Sequence, residues 1–111
     1  MKRMILIASA ALLTLPSLGC TSEEAQNIAT LEGDATAGKP LYDSMCAGCH
    51  GADGKGGSYD VDLVAELHHS DEEIIDVILS GDGDMPAYSD QLSDQEIADV
   101  VAHVRVTLGG Q

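Results

Sequence analysis

The sequence has 111 residues, of which 19 are acidic and 5 are Lys or Arg, giving a formal charge of −14 at neutral pH. Such a chain has too little positive charge to bind a phosphate backbone, which excludes nucleic acid as a partner, and its length allows one small domain. Because the chain contains no Phe and no Trp, its side chains alone would build a small core, and a domain of this size needs another source of stability.

The N-terminus has the form of an export signal. Met1-Lys2-Arg3 is basic, and the apolar run from Ile5 to Leu15 is too short to span a membrane comfortably but suits a signal peptide. We predict a signal peptide over residues 1–19. Export would place the protein on the periplasmic side of a bacterial membrane.

A lipid attachment site is predicted at Cys20. The run Leu18-Gly19-Cys20 resembles the cleavage site of bacterial lipoproteins, although Ser17 stands where that motif usually has Leu. A lipid on Cys20 would anchor the protein to the membrane, whereas ordinary cleavage nearby would leave it soluble in the periplasm or outside the cell. Residues 20–34 are polar, acidic and weakly periodic, and we interpret them as a lipid-anchored linker.

The globular domain is predicted over residues 35–111 and opens with a helix. Leu41 and Met45 are four positions apart and share one face of a helix from Thr36 to Met45. This helix leads directly into Cys46, the first residue of the most informative motif in the chain.

The run Cys46-Ala47-Gly48-Cys49-His50 is the C-x-x-C-H pattern by which a haem is bonded covalently to a chain. The thiols of Cys46 and Cys49 can reach two vinyl groups on one edge of a porphyrin, while the imidazole of His50 meets the iron from one side. One covalently attached haem c is therefore predicted, and its apolar bulk would supply the core that the composition lacks. The alternatives are a thiol redox pair or half of a zinc site, although no second Cys pair follows.

A glycine-rich stretch, residues 51–57, follows the motif. Its composition predicts a loop, which either passes close to a flat ligand or forms a flexible surface turn. Beyond it, Leu63 is expected to pack on the porphyrin or in the ordinary core.

Two capping boxes predict the starts of the next two helices. Ser70 pairs with Glu73 and Ser93 with Glu96, each Ser capping the backbone N–H of the residue three positions later. The first helix is expected to stop at Gly81. The second carries a single apolar stripe, which consists of Ile97, Val100, Val101, Val104 and Leu108. No strand is predicted, so the fold class is all-α.

Met85 is the predicted second iron ligand. It lies in a loop between these two helices, among glycines and acids and just before Pro86, where core packing is a weak explanation for a methionine. A His/Met pair raises the reduction potential of a haem and leaves no open site on the iron. Met45 adjoins Cys46 and so belongs to the other side of the porphyrin. The remaining candidates, His68, His69 and His103, are interpreted as solvated or packing residues.

The run from Cys46 to Gly51, followed by Met85-Pro86-Ala87-Tyr88 and a C-terminal helix, resembles a small bacterial class I cytochrome c. The resemblance implies three to four helices around one covalently bound haem, with the first and last helices crossing near it. It also implies iron ligation by His50 and Met85, and a one-electron carrier rather than an enzyme. Gly38 and Tyr42 match the small and aromatic residues of the family's crossing surface on the first helix.

Two features depart from the pattern of that family. His103 stands where many members have an aromatic residue in the last helix, so the contact between the crossing helices is expected to be altered. Many members also have a proline whose carbonyl accepts a hydrogen bond from the proximal histidine, and residues 58–63 contain none. The residue that orients His50 is therefore unidentified in the sequence.

The expected role is the transfer of single electrons between respiratory redox partners. The acidity of the chain either steers it towards a basic docking surface on a partner protein or is an adaptation to a salty environment. The alternatives are a haem subunit of a larger oxidoreductase and a haem protein that binds small ligands or reacts with peroxide.

Overall fold

The computed structural model describes residues 21–110, and over that range the regular structure is helical apart from one β-bridge. The α-helices are α1 (Glu23–Ala29), α2 (Ala35–Met45), α3 (Ala47–His50), α4 (Asp71–Ser80) and α5 (Asp94–Ala102). A 3₁₀ turn spans Val64–Glu66, and α5 runs on as a π-helical segment, His103–Leu108. The all-α prediction is confirmed, with α1 and the single-turn α3 beyond the three to four helices expected. The predicted signal peptide and Cys20 lie outside the described residues.

Helix α1 occupies part of the predicted linker. Ser22 caps it by accepting a hydrogen bond from the backbone N–H of Ala25 at 3.1 Å. The backbone N–H and Oγ of Ser22 donate to the two carboxylate oxygens of Asp76 in α4, at 3.0 and 2.7 Å. Ala25 and Ile28 are buried in the core. Residues 23–29 are therefore not a tether, because two apolar side chains one turn apart hold this otherwise polar helix to the domain.

Helices α2 and α5 cross in close backbone contact. A Cβ added to Gly38 would lie 1.9 Å from the carbonyl oxygen of Asp99, so only glycine fits at this point of the crossing. The buried side chain of Asp99 accepts a hydrogen bond from the backbone N–H of Asp34 at 2.9 Å, which ties the start of α2 to α5. One turn further along α2, Tyr42 is fully buried against His103. The crossing surface predicted from Gly38 and Tyr42 is thus confirmed.

Both predicted capping boxes form. The backbone N–H of Glu73 donates to Ser70 Oγ at 3.2 Å, and that of Glu96 donates to Ser93 Oγ at 3.1 Å. Helix α4 stops at Gly81, which has a φ of +79°. The predicted apolar stripe of the last helix is buried along its length, from Ile97 to Leu108.

The core has two parts. One is formed by α1, α4 and α5, around Ile28, Ile75 and Ile97. The other lies under the α2–α5 crossing and contains Tyr42 and Leu108, with Leu63 packed against it. Within residues 21–110, no helix is long and apolar enough to cross a membrane.

Arg105 closes the C-terminal end of the domain. Its guanidinium pairs with Asp71 and donates to the backbone carbonyls of Leu67 and His69 at 3.0 and 2.6 Å. These bonds join the last helical segment to the start of α4. Because its guanidinium makes these bonds within the domain, we assign Arg105 a structural role.

Candidate functional site

The cysteine motif forms one helical turn of its own. Cys46 caps the C-terminus of α2 and donates its N–H to the Tyr42 carbonyl at 2.8 Å. Its own carbonyl accepts from the N–H groups of Cys49 and His50 at 3.2 and 3.0 Å. Residues three and four positions apart on a helix are neighbours on one face. The turn therefore brings the two thiols and the imidazole to the same side of the chain.

The glycine-rich loop folds back on this turn. The N–H groups of Gly56, Gly57 and Ser58 donate to the carbonyls of His50, Cys49 and Gly48 at 2.8, 3.0 and 3.1 Å. These bonds satisfy the carbonyls that end α3. A Cβ added to Gly57 would lie 2.6 Å from the Gly48 carbonyl oxygen. The loop therefore lies close to the backbone of the cysteine motif, and its hydrogen bonds stabilise the helical turn of the motif.

Met85 lies at the end of a tight turn. The N–H of Asp82 donates to the carbonyl of Met85 at 3.0 Å, and the N–H of Met85 donates to the carbonyl of Asp82 at 2.9 Å. Gly83, inside this turn, has a φ of +58° that other residues rarely adopt. We call residues 82–88 the Met85 loop.

The motif and the Met85 loop line one cleft of about 220 Å³. Its walls include the four predicted haem-binding residues, Cys46, Cys49, His50 and Met85. The remaining lining residues are Met45, Tyr59, Val61, Asp82, Asp84, Pro86 and Tyr88. Most of these were not singled out from the sequence, because they come from three separate segments that only the fold brings together.

The environment of the thiols and the imidazole suits haem binding better than thiol redox chemistry. Burial, followed by the nearby Cys49 thiol, raises the pKa of Cys46 to about 11, whereas reactive cysteines have a lowered pKa. Burial lowers the pKa of His50, which favours the neutral imidazole that can ligate iron. Among residues 21–110, no group of three or more His, Cys, Asp or Glu side chains is arranged to hold a metal ion, so the zinc alternative has no support there.

His50 has an unusual surrounding. Its Nδ1 atom is buried and makes no hydrogen bond within the described part of the chain. This agrees with the missing proline carbonyl in residues 58–63. Among the described residues, the helical turn of the motif therefore positions His50 without a hydrogen bond to its Nδ1 atom.

Of the four competing ligand candidates, Met45 lines the cleft and the three histidines do not. Met45 lines the same cleft beside Cys46 and is 37% exposed. His68 and His69 stack on each other with ring centroids 4.1 Å apart, and neither lines the cleft. His103 is buried in the helix crossing, as the packing interpretation predicted.

The chain is similar in sequence to known cytochromes. The family described as cytochrome c oxidase, cbb3-type, subunit III, matches residues 33–104. The chain is 35% identical over 83 residues to cytochrome c6 of Bryopsis maxima, an alignment that covers 65% of this chain and 90% of that protein. It is 33% identical over 75 residues to the cytochrome c subunit of the bc1 complex of Corynebacterium diphtheriae, but spans 27% of that protein's length.

The fold is similar to that of cytochrome cL from Hyphomicrobium denitrificans. The TM-score is 0.59 at 22% identity, and the match covers 76% of this chain and 51% of that chain. At this level of identity the likeness concerns the fold alone.

Proposed function

Because the chain belongs to the class I c-type cytochromes, which carry covalently bound haem c, we propose that Cys46 and Cys49 would hold the haem and that His50 and Met85 would ligate its iron. The single observation that carries this proposal is the shared cleft, which both thiols, the imidazole and the thioether line together. The haem, when bound, supplies a one-electron couple at its iron.

The proposed role of the protein is single-electron transfer between redox partners. Ligation by both the Met85 thioether and the His50 imidazole would leave no coordination position for a substrate and would favour a raised reduction potential. Tyr59 and Val61, which are 44% and 39% exposed at the cleft, can cover part of a flat apolar cofactor. One relative is named as a subunit of a bc1 complex, which supports a subunit role, whereas the name of another, cytochrome c6, mentions no complex. Co-purification would distinguish a free carrier from a subunit.

The proposed partner surface is basic. Asp82 and Asp84 are exposed at the cleft, and none of the three cations within residues 21–110 lines it. Lys39 is instead paired with Asp43 at 2.6 Å. An acidic rim around the site of electron exit would steer a partner of opposite charge into contact there.

We further propose export and lipidation at Cys20, which the N-terminal sequence supports. Mass spectrometry of the protein from a membrane fraction tests it directly. The expected mass includes a lipid on Cys20, and Cys20→Ser is expected to release the protein into the soluble fraction. A wild-type protein with an unmodified N-terminus after signal cleavage would contradict lipidation and leave export intact.

Spectroscopy of two methionine variants tests the ligation. Thioether ligation gives ferric haem a weak long-wavelength absorption band, here called the thioether band. We expect Met85→Ala to keep the haem through denaturation and solvent extraction, to lose the thioether band and to bind carbon monoxide when reduced. Met45→Ala, at the other methionine of the cleft, is the matched control and is expected to keep the band. Loss of the band in Met45→Ala alone would reverse the assignment.

A further inference from the structure

Within residues 21–110, no backbone hydrogen bond joins the Met85 loop to the cysteine motif. Before the loop, the N–H of Gly81 donates to the carbonyl of Val77 at 2.8 Å, and at its end the N–H of Tyr88 donates to the carbonyl of Ile78 at 2.9 Å. Both acceptors belong to α4. The Tyr88 carbonyl accepts from the N–H groups of residues 91 and 92, and the hydrogen bonds between Asp82 and Met85 lie within the loop itself. The backbone hydrogen bonds of the loop therefore do not fix the distance between Met85 and the cysteine motif.

One side-chain hydrogen bond crosses the cleft. The Tyr88 hydroxyl donates to the carbonyl oxygen of Met45 at 3.0 Å. Met45 is the last residue of α2 and precedes Cys46 directly. Over residues 21–110, this is the one hydrogen bond between the Met85 loop and residues 45–50.

The surroundings of Tyr88 suit a fixed donor. Its ring is half-buried and packs against the core cluster that contains Ile75 and Leu79. Burial, followed by the nearby Cys46 and Cys49 thiols, raises the pKa of Tyr88, so the hydroxyl keeps its proton at neutral pH. The ring is thus held by packing, while the hydroxyl makes the bond across the cleft.

We propose that Tyr88 is a positioning residue, which holds Met85 over the cleft by joining the Met85 loop to the end of α2. The inference rests on the proposed ligation of iron by Met85. The hydrogen bond from the Tyr88 hydroxyl limits the distance between the Met85 loop and the end of α2. Without it, the loop can move away from the motif and the thioether becomes easier to displace.

The test compares Tyr88→Phe with Ser44→Ala in the haem-loaded protein. The Tyr88→Phe substitution keeps the ring that packs on the core and removes only the hydroxyl. Ser44→Ala also removes one hydroxyl that donates to a backbone carbonyl, that of Leu41 at 3.2 Å, but Ser44 does not line the cleft, so this variant is the matched control. The measurements are the intensity of the thioether band and the affinity of the ferric protein for added imidazole, which competes with a thioether for the iron.

We expect Tyr88→Phe to keep its haem and its fold but to bind imidazole about tenfold more tightly than the wild type, the size of effect that one hydrogen bond can have. Ser44→Ala is expected to match the wild type. The intensity of the thioether band in Tyr88→Phe is expected to fall at lower imidazole concentrations than in either comparison protein.

Three results would overturn the inference, and they differ in what else they affect. Wild-type imidazole affinity in Tyr88→Phe, with the thioether band present throughout, would reject the role of Tyr88 and leave Met85 as a ligand. A wild-type protein without a thioether band would reject ligation by Met85 and this inference with it. Loss of haem or of the helical circular-dichroism signal in Tyr88→Phe would show that the hydroxyl is needed for the fold and not for positioning alone.

Discussion

The imidazole ring of His103 lies against the phenol ring of Tyr42, with centroids 5.1 Å apart and planes inclined by 50°. This pair is one contact between α2 and the C-terminal helix, at the position where many class I cytochromes have an aromatic residue in place of His103 and where we expected an altered contact. The Tyr42 hydroxyl in turn donates to the carbonyl of Gly51 at 2.6 Å, next to His50. This hydrogen bond connects the crossing of the terminal helices to the residue that directly follows the cysteine motif.

We expect His103→Phe to stabilise the protein. His103 is 2% exposed, and both of its ring nitrogens are buried without a hydrogen-bond partner among the described residues. An unsatisfied buried polar group costs about 1–3 kcal/mol, so an apolar ring of similar shape should raise the free energy of unfolding by about 1 kcal/mol or more. Urea unfolding of the haem-loaded protein measures the change. His68→Phe, at an exposed position outside the crossing, is the control, and an equal gain there would contradict the explanation.

We also expect His103 to make the protein less stable in mild acid. Burial, with a smaller contribution from Lys39, lowers the pKa of His103 from 6.5, and Asp43 opposes the shift. The unfolded chain then takes up a proton at His103 below pH 6.5 while the folded chain does not, so the free energy of unfolding falls as the pH falls through that window. The stability gain of His103→Phe over the wild type should therefore be larger near about pH 5 than near about pH 7.5. A gain independent of pH would show that His103 does not titrate differently on unfolding.

Gly38→Ala is expected to damage the helix crossing. The added Cβ would lie 1.9 Å from the Asp99 carbonyl oxygen, and relief requires α2 and α5 to separate, at a cost of about 3 kcal/mol or more. Gly48→Ala is the matched control, because a Cβ there meets nothing within 4 Å and alanine favours the helical turn. Thermal unfolding of the two variants compares them. Equal unfolding temperatures would mean that the crossing tolerates a wider helix separation.

The acidic rim predicts a charge-dependent reaction rate. We expect Asp82→Asn combined with Asp84→Asn to slow electron transfer from hexaammineruthenium(II), a small cationic reductant, to the ferric protein by several-fold at low salt. The difference should shrink as added salt screens the rim. Glu23→Gln combined with Glu24→Gln, on α1, removes the same charge from outside the cleft and serves as the control. Equal slowing in both double variants would assign the acidity to the surface as a whole, as salt adaptation would.

The sequence predicted the parts of the fold whose signals are local. The capping boxes at Ser70 and Ser93 are complete within four residues, and the cysteine motif within five, so no distant contact is needed to recognise them. Helix α1 went unrecognised because its burial involves only Ala25 and Ile28, and its partner α4 is remote in the chain. The bond from Tyr88 to Met45 was equally inaccessible, since 43 positions separate its two ends.

The bonds between Ser22 and Asp76 bear on how far the protein could travel while anchored. Two residues of extended chain reach about 7 Å, so a lipid on Cys20, as proposed, would leave Ser22 and the α4 surface close to the lipid headgroups. The domain could rotate at the membrane surface, but the short linker would keep it from moving far from the membrane. The protein would then reach its partners by diffusing in the plane of the membrane. Only partners that expose their redox centres close to the membrane surface could exchange electrons with it.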